Sequence, residues 1–174
     1  MTDQGGIHDE HPFNTPSDRR DPARRFRGRL VAPVTVITSG SGDRRTGLTV
    51  SSIMVAEGEP SRVYFLLGTA TDLYDRLEES GRFVVHVLEE PHPQVSDVFA
   101  GIRPSPGGRF AGLAVEESDW GPVITDIATR AYCTFEGGDE ETYFLLAEGI
   151  VDKIEQGDID DPLVYFRGHY RSLA

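Results

Sequence analysis

The sequence predicts a mainly β protein, a barrel of short strands with a few short helices attached. Three observations carry this. Runs rich in β-branched and aromatic residues recur along the chain, as in Val31 to Ile37, Arg62 to Leu67 and Arg82 to Leu88. Apolar residues fall at helical spacing in only one clear segment, around Leu73, Tyr74 and Leu77. Turn chemistry separates the runs, as in Ser39-Gly-Ser-Gly-Asp43 and Glu136-Gly-Gly-Asp139.

Residues 1 to about 20 are polar and contain Pro12 and Pro16, so they read as a disordered or surface-draped tail ahead of one domain over 21–174. His8, Glu10 and His11 lie in that tail, and no second cluster makes them a metal site. Asp21-Pro22 is a helix start, with Asp as N-cap and Pro in the first turn. A short arginine-rich helix, Ala23 to Arg29, follows. The first strand runs Leu30 to Ser39 and the second Thr46 to Ile53. Arg62 to Leu67 and Arg82 to Leu88 are the next two. Between them the spacing predicts a helix over Thr71 to Glu79, with Thr71 as N-cap and Gly81 ending it. A second short helix is predicted from Pro93 to Ala100, then a loop from Pro104 to Gly108. Long strands are predicted over Val123 to Phe135 and Thr142 to Ile154, and a last short one over Leu163 to Phe166.

The chain has 174 residues and a formal charge of -12, from 29 acidic and 17 basic residues. So acidic a surface disfavours nucleic acid and anionic membranes as partners. Six arginines crowd between Arg19 and Arg29, a solvated basic face or a contact for an acidic second subunit. The one cysteine, Cys133, lies in an apolar stretch and reads as a buried hydrophobe. With no run of about 18 apolar residues and no apolar signal core, the expectation is a cytoplasmic protein without a membrane span.

Function is carried by motifs. Thr46-Gly-Leu-Thr-Val-Ser-Ser52 sets small hydroxyl residues at the end of a strand, where backbone can approach a flat, polar-edged ring. Gly68-Thr-Ala-Thr71 stands at a strand-to-helix junction, where aligned amides suit a phosphate or simply cap a helix. Further on come Gly81-Arg-Phe-Val-Val-His-Val-Leu88, Arg109-Phe-Ala-Gly112 and Tyr165-Phe-Arg-Gly-His-Tyr170. In this order and spacing the motifs resemble the flavin reductase-like, FMN-binding split-barrel family, from about Ala23 to Tyr170.

The resemblance implies a split β-barrel of Greek-key type and a homodimer holding FMN, or FAD, between subunits. It implies hydride transfer from nicotinamide C4 of NAD(P)H to flavin N5, with reduced flavin passing to a monooxygenase partner. Thr49, Val50, Ser51 and Ser52 would meet the flavin ring and ribityl chain. Gly68, Thr69 and Thr71 would meet its phosphate. His86 stands where the family usually has Asn and would face the flavin, the subunit contact or the core. Phe110 would stack on a cofactor ring or anchor a loop. Arg167 would contact an anion or form a structural ion pair. Two departures stand out. Asp72 lies beside the phosphate position, with Arg62, Arg76 and Arg82 as cations that would compensate it. Gly137-Gly-Asp-Glu-Glu-Thr142 carries Glu140 or Glu141 where the family has a nicotinamide-side histidine. That exchange leaves open a flavin-binding module, or a cofactor-free barrel with a structural role. No general acid or base is assigned, because direct hydride transfer needs none.

Overall fold

The computed structural model describes residues 22–141 and 143–173. The predicted tail and the Asp21 cap lie outside them. The elements in chain order are α1 (Pro22–Arg27), β1 (Ala32–Pro33), β2 (Thr35–Ser39), β3 (Thr46–Val50), β4 (Ile53–Ala56), β5 (Arg62–Leu67), α2 (Asp72–Ser80), β6 (Arg82–Val87) and α3 (Pro93–Phe99). Then come β7 (Val115–Ser118), β8 (Gly121–Ile124), β9 (Arg130–Glu141), β10 (Phe144–Glu155), β11 (Val164–Phe166) and β12 (His169–Arg171).

Seven strands form one antiparallel sheet in the order β3-β2-β6-β9-β10-β5-β4. Its two edges, β3 and β4, are neighbours in sequence, separated only by Ser51 and Ser52. Three peptide units reach about 11 Å at full stretch, so the edges of the sheet must curl toward each other. Leu66 N of β5 donates to Ser52 O at 3.2 Å, which extends the β4–β5 pairing by one residue into the crossing from β3. The result is a barrel split along one seam, as expected. A three-stranded sheet, β1-β11-β12, and the β7–β8 hairpin flank it.

The core follows from strand alternation and one amphipathic helix. Phe65, Phe83, Leu67, Leu145 and Cys133 fill the barrel, with Leu73 and Leu77 of α2 laid on top. The Phe65 and Phe83 rings meet edge to face at 5.6 Å. A second cluster, including Val36, Leu88, Phe99, Phe110 and Ile124, joins α3 to the barrel. The predicted α2 is found one residue displaced. Thr71 accepts a hydrogen bond from Tyr74 N, and Gly81 ends the helix at φ 65°, a left-handed conformation that favours glycine.

Several strand boundaries differ from the sequence expectation. The Leu30–Ser39 run is two strands, β1 and β2, because Val34 leaves the small sheet and its amide bonds Leu163 O at 3.1 Å. The Thr46–Ile53 run breaks at Ser51 and Ser52, where the chain crosses the seam. Val123–Phe135 is not one strand: β8 ends at Ile124, and the Ile127 amide turns back to Ile124 O. The Glu136–Asp139 turn is absent; β9 runs through it to Glu141. Gly137, at φ 99°, sits opposite Glu148 where the register slips, so the glycines make a bulge rather than a reversal. β7 and β12 carry too few apolar residues to signal themselves in the sequence.

Candidate functional site

The edge strand β3 lays one open side beside the seam, with the start of α2 on one flank and α3 and the 101–113 loop on the other. Thr49 Oγ1 donates to Ser96 O of α3 at 2.6 Å, which sets the width of the groove there. Ser96 is itself fixed: its Oγ lies 2.9 Å from the Tyr170 hydroxyl, which donates to Asp97 at 2.7 Å. Burial, then that bond to Asp97, push the Tyr170 phenol well above its usual range, so it stays protonated. Tyr170 of the closing motif is therefore a brace for α3. Ser52 continues the β4–β5 pairing, with Oγ 3.4 Å from Leu66 O and 3.3 Å from Leu66 N. Ser51 is exposed, and its hydroxyl has no partner among the described residues. Val50 points inward and is 3% exposed, so only its backbone can meet a ligand.

Two residues beyond Leu66 the Gly68–Thr71 turn begins, so the structure brings the two predicted motifs together. Gly68 O accepts from Thr71 N at 3.2 Å and from Thr71 Oγ1 at 2.8 Å. Thr69 is exposed. The amides of Thr69, Ala70, Asp72 and Leu73 have no acceptor among the described residues, as at any helix start. The compensating cation for Asp72 is not one of those expected. Arg76 is committed to Glu79, Arg62 to Glu148, and Arg82 lies over Trp120. Arg109 takes the role instead: its Nη1 donates to Gly47 O at 3.0 Å and lies 3.4 Å from Thr46 Oγ1 and 4.0 Å from Asp72. A cavity of about 530 Å³ opens here, lined by Asp43, Arg45, Thr46, Asp72, Arg109 and Phe110 among others. Arg45 and Arg109 are the site residues that sequence reasoning missed. Arg109 sits 62 residues from Gly47, so no local spacing announces the contact. The signal was the Arg109-Phe110 pair itself, whose polar member was passed over.

Three expected residues stand elsewhere or act differently. His86 is 0% exposed and points into the barrel wall. Its Nδ1 donates to Val36 O at 3.1 Å, and its Nε2 accepts from Ile124 N at 3.0 Å. Burial lowers its pKa to about 4, so the ring is neutral and ties β6 to β2 and β8. Phe110 is 7% exposed and packs edge to face on Phe99 at 5.1 Å, with the Arg45 guanidinium 4.9 Å from its centroid. It anchors the loop. Arg167 lies in the β11–β12 turn at φ 52°, with its amide bonded to Gly28 O, outside the groove. Glu140 pairs with Leu145 next to the tip of the β9–β10 hairpin, where Tyr143 is 90% exposed. Burial pushes the Cys133 thiol up to about 12, as suits an inert core residue.

The groove thus offers hydroxyls at Ser51 and Thr69, free amides at the start of α2 and the fork of Arg109. These donors fit an organic phosphate ester with a flat polar-edged ring. Residues 27–174 match the family model described as "Flavin reductase like domain". The chain is 32% identical over 146 residues to the reductase component of 4-hydroxyphenylacetate 3-monooxygenase from Thermus thermophilus, covering 84% of this chain and 91% of that one. It is 30% identical over 163 residues to the NADH-dependent FMN reductase AsuE2 of Streptomyces nodosus subsp. asukaensis, covering 88% and 85%. Among solved structures, flavin reductase PheA2 superposes with a TM-score of 0.78 at 27% identity, covering 89% of this chain and 99% of that one.

Proposed function

Since the chain belongs to the flavin reductase-like family, we propose that it is an NADH-dependent flavin reductase that supplies reduced flavin to a monooxygenase. The observation that carries this for the chain itself is the convergence of the Thr49–Ser52 edge, the Gly68–Thr71 turn and Arg109 on one groove. Flavin, when bound, supplies the hydride acceptor. The protein's part is to hold and orient. Backbone and Ser51 meet the polar ring edge, Ser52 fixes the crossing from β3 to β4 against Leu66 behind it, and the α2 amides with Arg109 take the FMN phosphate. Thr49, braced through Ser96 and Tyr170, sets the groove width. The acidic Glu140 near the hairpin tip disfavours the bare phosphates of the nicotinamide nucleotide, so the nicotinamide must be placed by contact rather than by charge. The single cysteine needs no oxidising compartment, and we place the reaction in the cytoplasm.

We place a second copy of the chain against the β4 edge. Met54 and Val55 of β4 are 59% and 65% exposed, and Leu66 is 37% exposed beside them. Apolar side chains on an unpaired edge strand are what a subunit contact covers. Light scattering should return the mass of two chains. Met54→Lys with Val55→Glu should return one, and a monomeric wild type overturns the contact.

Flavin titration by fluorescence quenching, followed by stopped-flow mixing with NADH, tests the activity. Arg109→Gln should weaken FMN binding about 10-fold or more, since a charged hydrogen bond is worth about 1.5–3 kcal/mol. Wild type should bleach the flavin on mixing with NADH. Binding without bleaching would leave a flavin carrier; no binding at all would leave only the barrel.

A further inference from the structure

Arg109 and the strand it grips share one base, the helix α3. The Phe99 ring lies so close to β3 that a Cβ at Gly47 would come within 2.7 Å of Phe99 Cε1. Gly47 O is the acceptor of Arg109. The loop that carries Arg109 leaves α3 and returns to it. Asp97 O accepts from the Ile102 and Arg103 amides at 3.0 and 3.2 Å, and Phe110 packs on Phe99. Gly101 and Gly112, at φ 72° and 78°, give the two ends of that loop little stiffness of their own. Arg109 therefore keeps its place only while α3 keeps its own. With seven residues, α3 is too short to be stable without tertiary contacts.

We propose that Asp97 is a positioning residue for the flavin phosphate: it pins α3 to the C-terminal strand β12 through Tyr170, and its carbonyl sets the start of the loop that presents Arg109. The proposal deepens the flavin site argued above and rests on it. The pin is well made. Tyr170 donates to Asp97 Oδ1 at 2.7 Å, and Ser96 Oγ stands 2.9 Å from the same hydroxyl. A hydrogen bond to a carboxylate is roughly twice as strong as one between neutral groups. The Tyr170 ring is itself fixed, edge to face on Tyr165 at 5.5 Å, its register partner on β11. Burial holds the phenol protonated, so the donor is always present at ordinary pH. Asp97 does not line the cavity beside Arg109, and a carboxylate would repel a phosphate in direct contact. Its effect on the ligand must pass through the elements it holds.

Riboflavin has the ring and ribityl chain of FMN and lacks the phosphate. The ratio of the riboflavin and FMN dissociation constants therefore reads the grip of Arg109 and cancels changes at the ring. Fluorescence titrations of both ligands test the proposal, at a temperature where near-ultraviolet circular dichroism shows each variant folded. Wild type should bind FMN about 10-fold or more tighter than riboflavin. Asp97→Ala should bring that ratio down to about 3 or less, as expected when a charged hydrogen bond loses its geometry. Asp97→Asn, whose amide oxygen still accepts from Tyr170, should keep more than half of the ratio in log units. Tyr170→Phe keeps the ring on Tyr165 and loses the hydroxyl. It should match Asp97→Ala, and the double variant should fall no further. It also carries the test alone if Asp97→Ala does not fold. Tyr132→Phe is the control for stability. It removes the same kind of bond, a phenol to Glu155 at 2.9 Å, in the separate cluster with Val84 and Val123. Its ratio should stay at the wild-type value. A ratio unchanged in Asp97→Ala and Tyr170→Phe overturns the inference and leaves flavin binding intact. So does a fall in Tyr132→Phe as large as theirs, which would mean that the ratio follows stability alone. Absence of FMN binding in wild type overturns the proposed function, and the inference with it.

Discussion

Lowering the pH from 6.5 to 4 should remove about 3 kcal/mol of folding stability through His86 alone. The folded ring has a pKa of about 4, below the unfolded value of 6.5, because burial disfavours the imidazolium. Nδ1 gives its proton to Val36 O and Nε2 accepts from Ile124 N, so a second proton has no place without breaking the Ile124 contact. Arg130, facing the ring from β9, adds repulsion. Between the two pKa values the unfolded chain binds more protons than the folded one, so stability is fully present above pH 6.5 and falls as the pH drops toward 4. Ordinary carboxylates titrate lower. The diagnostic window is therefore pH 6.5 to 5, where about 2 kcal/mol should disappear. Urea unfolding across that window measures it. His86→Asn should be less stable at pH 7, since the ring's two contacts are lost, yet nearly flat over the same window. Equal slopes in the two proteins would mean that the ring is not held neutral.

His86 also marks the limit of what local sequence can reveal. Alternation places it on a face with Val84 and Leu88, but β6 is a central strand, and Val84, Val85 and His86 are all buried. Strand period cannot say which of two covered faces meets a ligand. The parts that were legible depend on short-range chemistry. Thr71 and Gly81 frame α2 because cap and stop are written within one turn of the helix. The Thr49–Ser52 and Gly68–Thr71 motifs were legible as neighbours in a family pattern, and Ser52 bonding to Leu66 supplies the physical reason they meet. What was hidden depends on long-range closure. Arg109 reaches β3 from a loop far along the chain, and the Gly137 bulge looks like a turn until β10 is laid beside it. The break between β3 and β4 is hidden for the same reason. Ser51 and Ser52 leave the strand because the sheet must close there, a condition set by all seven strands.

Phe83→Ala should cost about 3–5 kcal/mol, and Gly149→Ala, harmful alone, should cost less in its presence than in wild type. Phe83 is 0% exposed on β6 and fills the barrel against Phe65. Its ring tip lies where a side chain on Gly149 of β10 would be: a Cβ there would come within 2.5 Å of Phe83 Cζ. Contacts that close do not occur, so in wild type the ring or the strand must shift, at about 1–3 kcal/mol. With the ring removed the added methyl enters the vacated space, while Thr134 O at 3.1 Å keeps some of the cost. The two substitutions should therefore couple by about 1 kcal/mol or more. The effect reaches the groove because β10 also carries Leu146, paired with the Leu66 that anchors Ser52. At temperatures where Phe83→Ala is still folded, its FMN affinity should fall, and the double variant should regain part of it. Denaturation midpoints of the four proteins with parallel FMN titrations test this. Strict additivity of the unfolding free energies would show that Gly149 is not the close approach that admits Phe83 into the barrel.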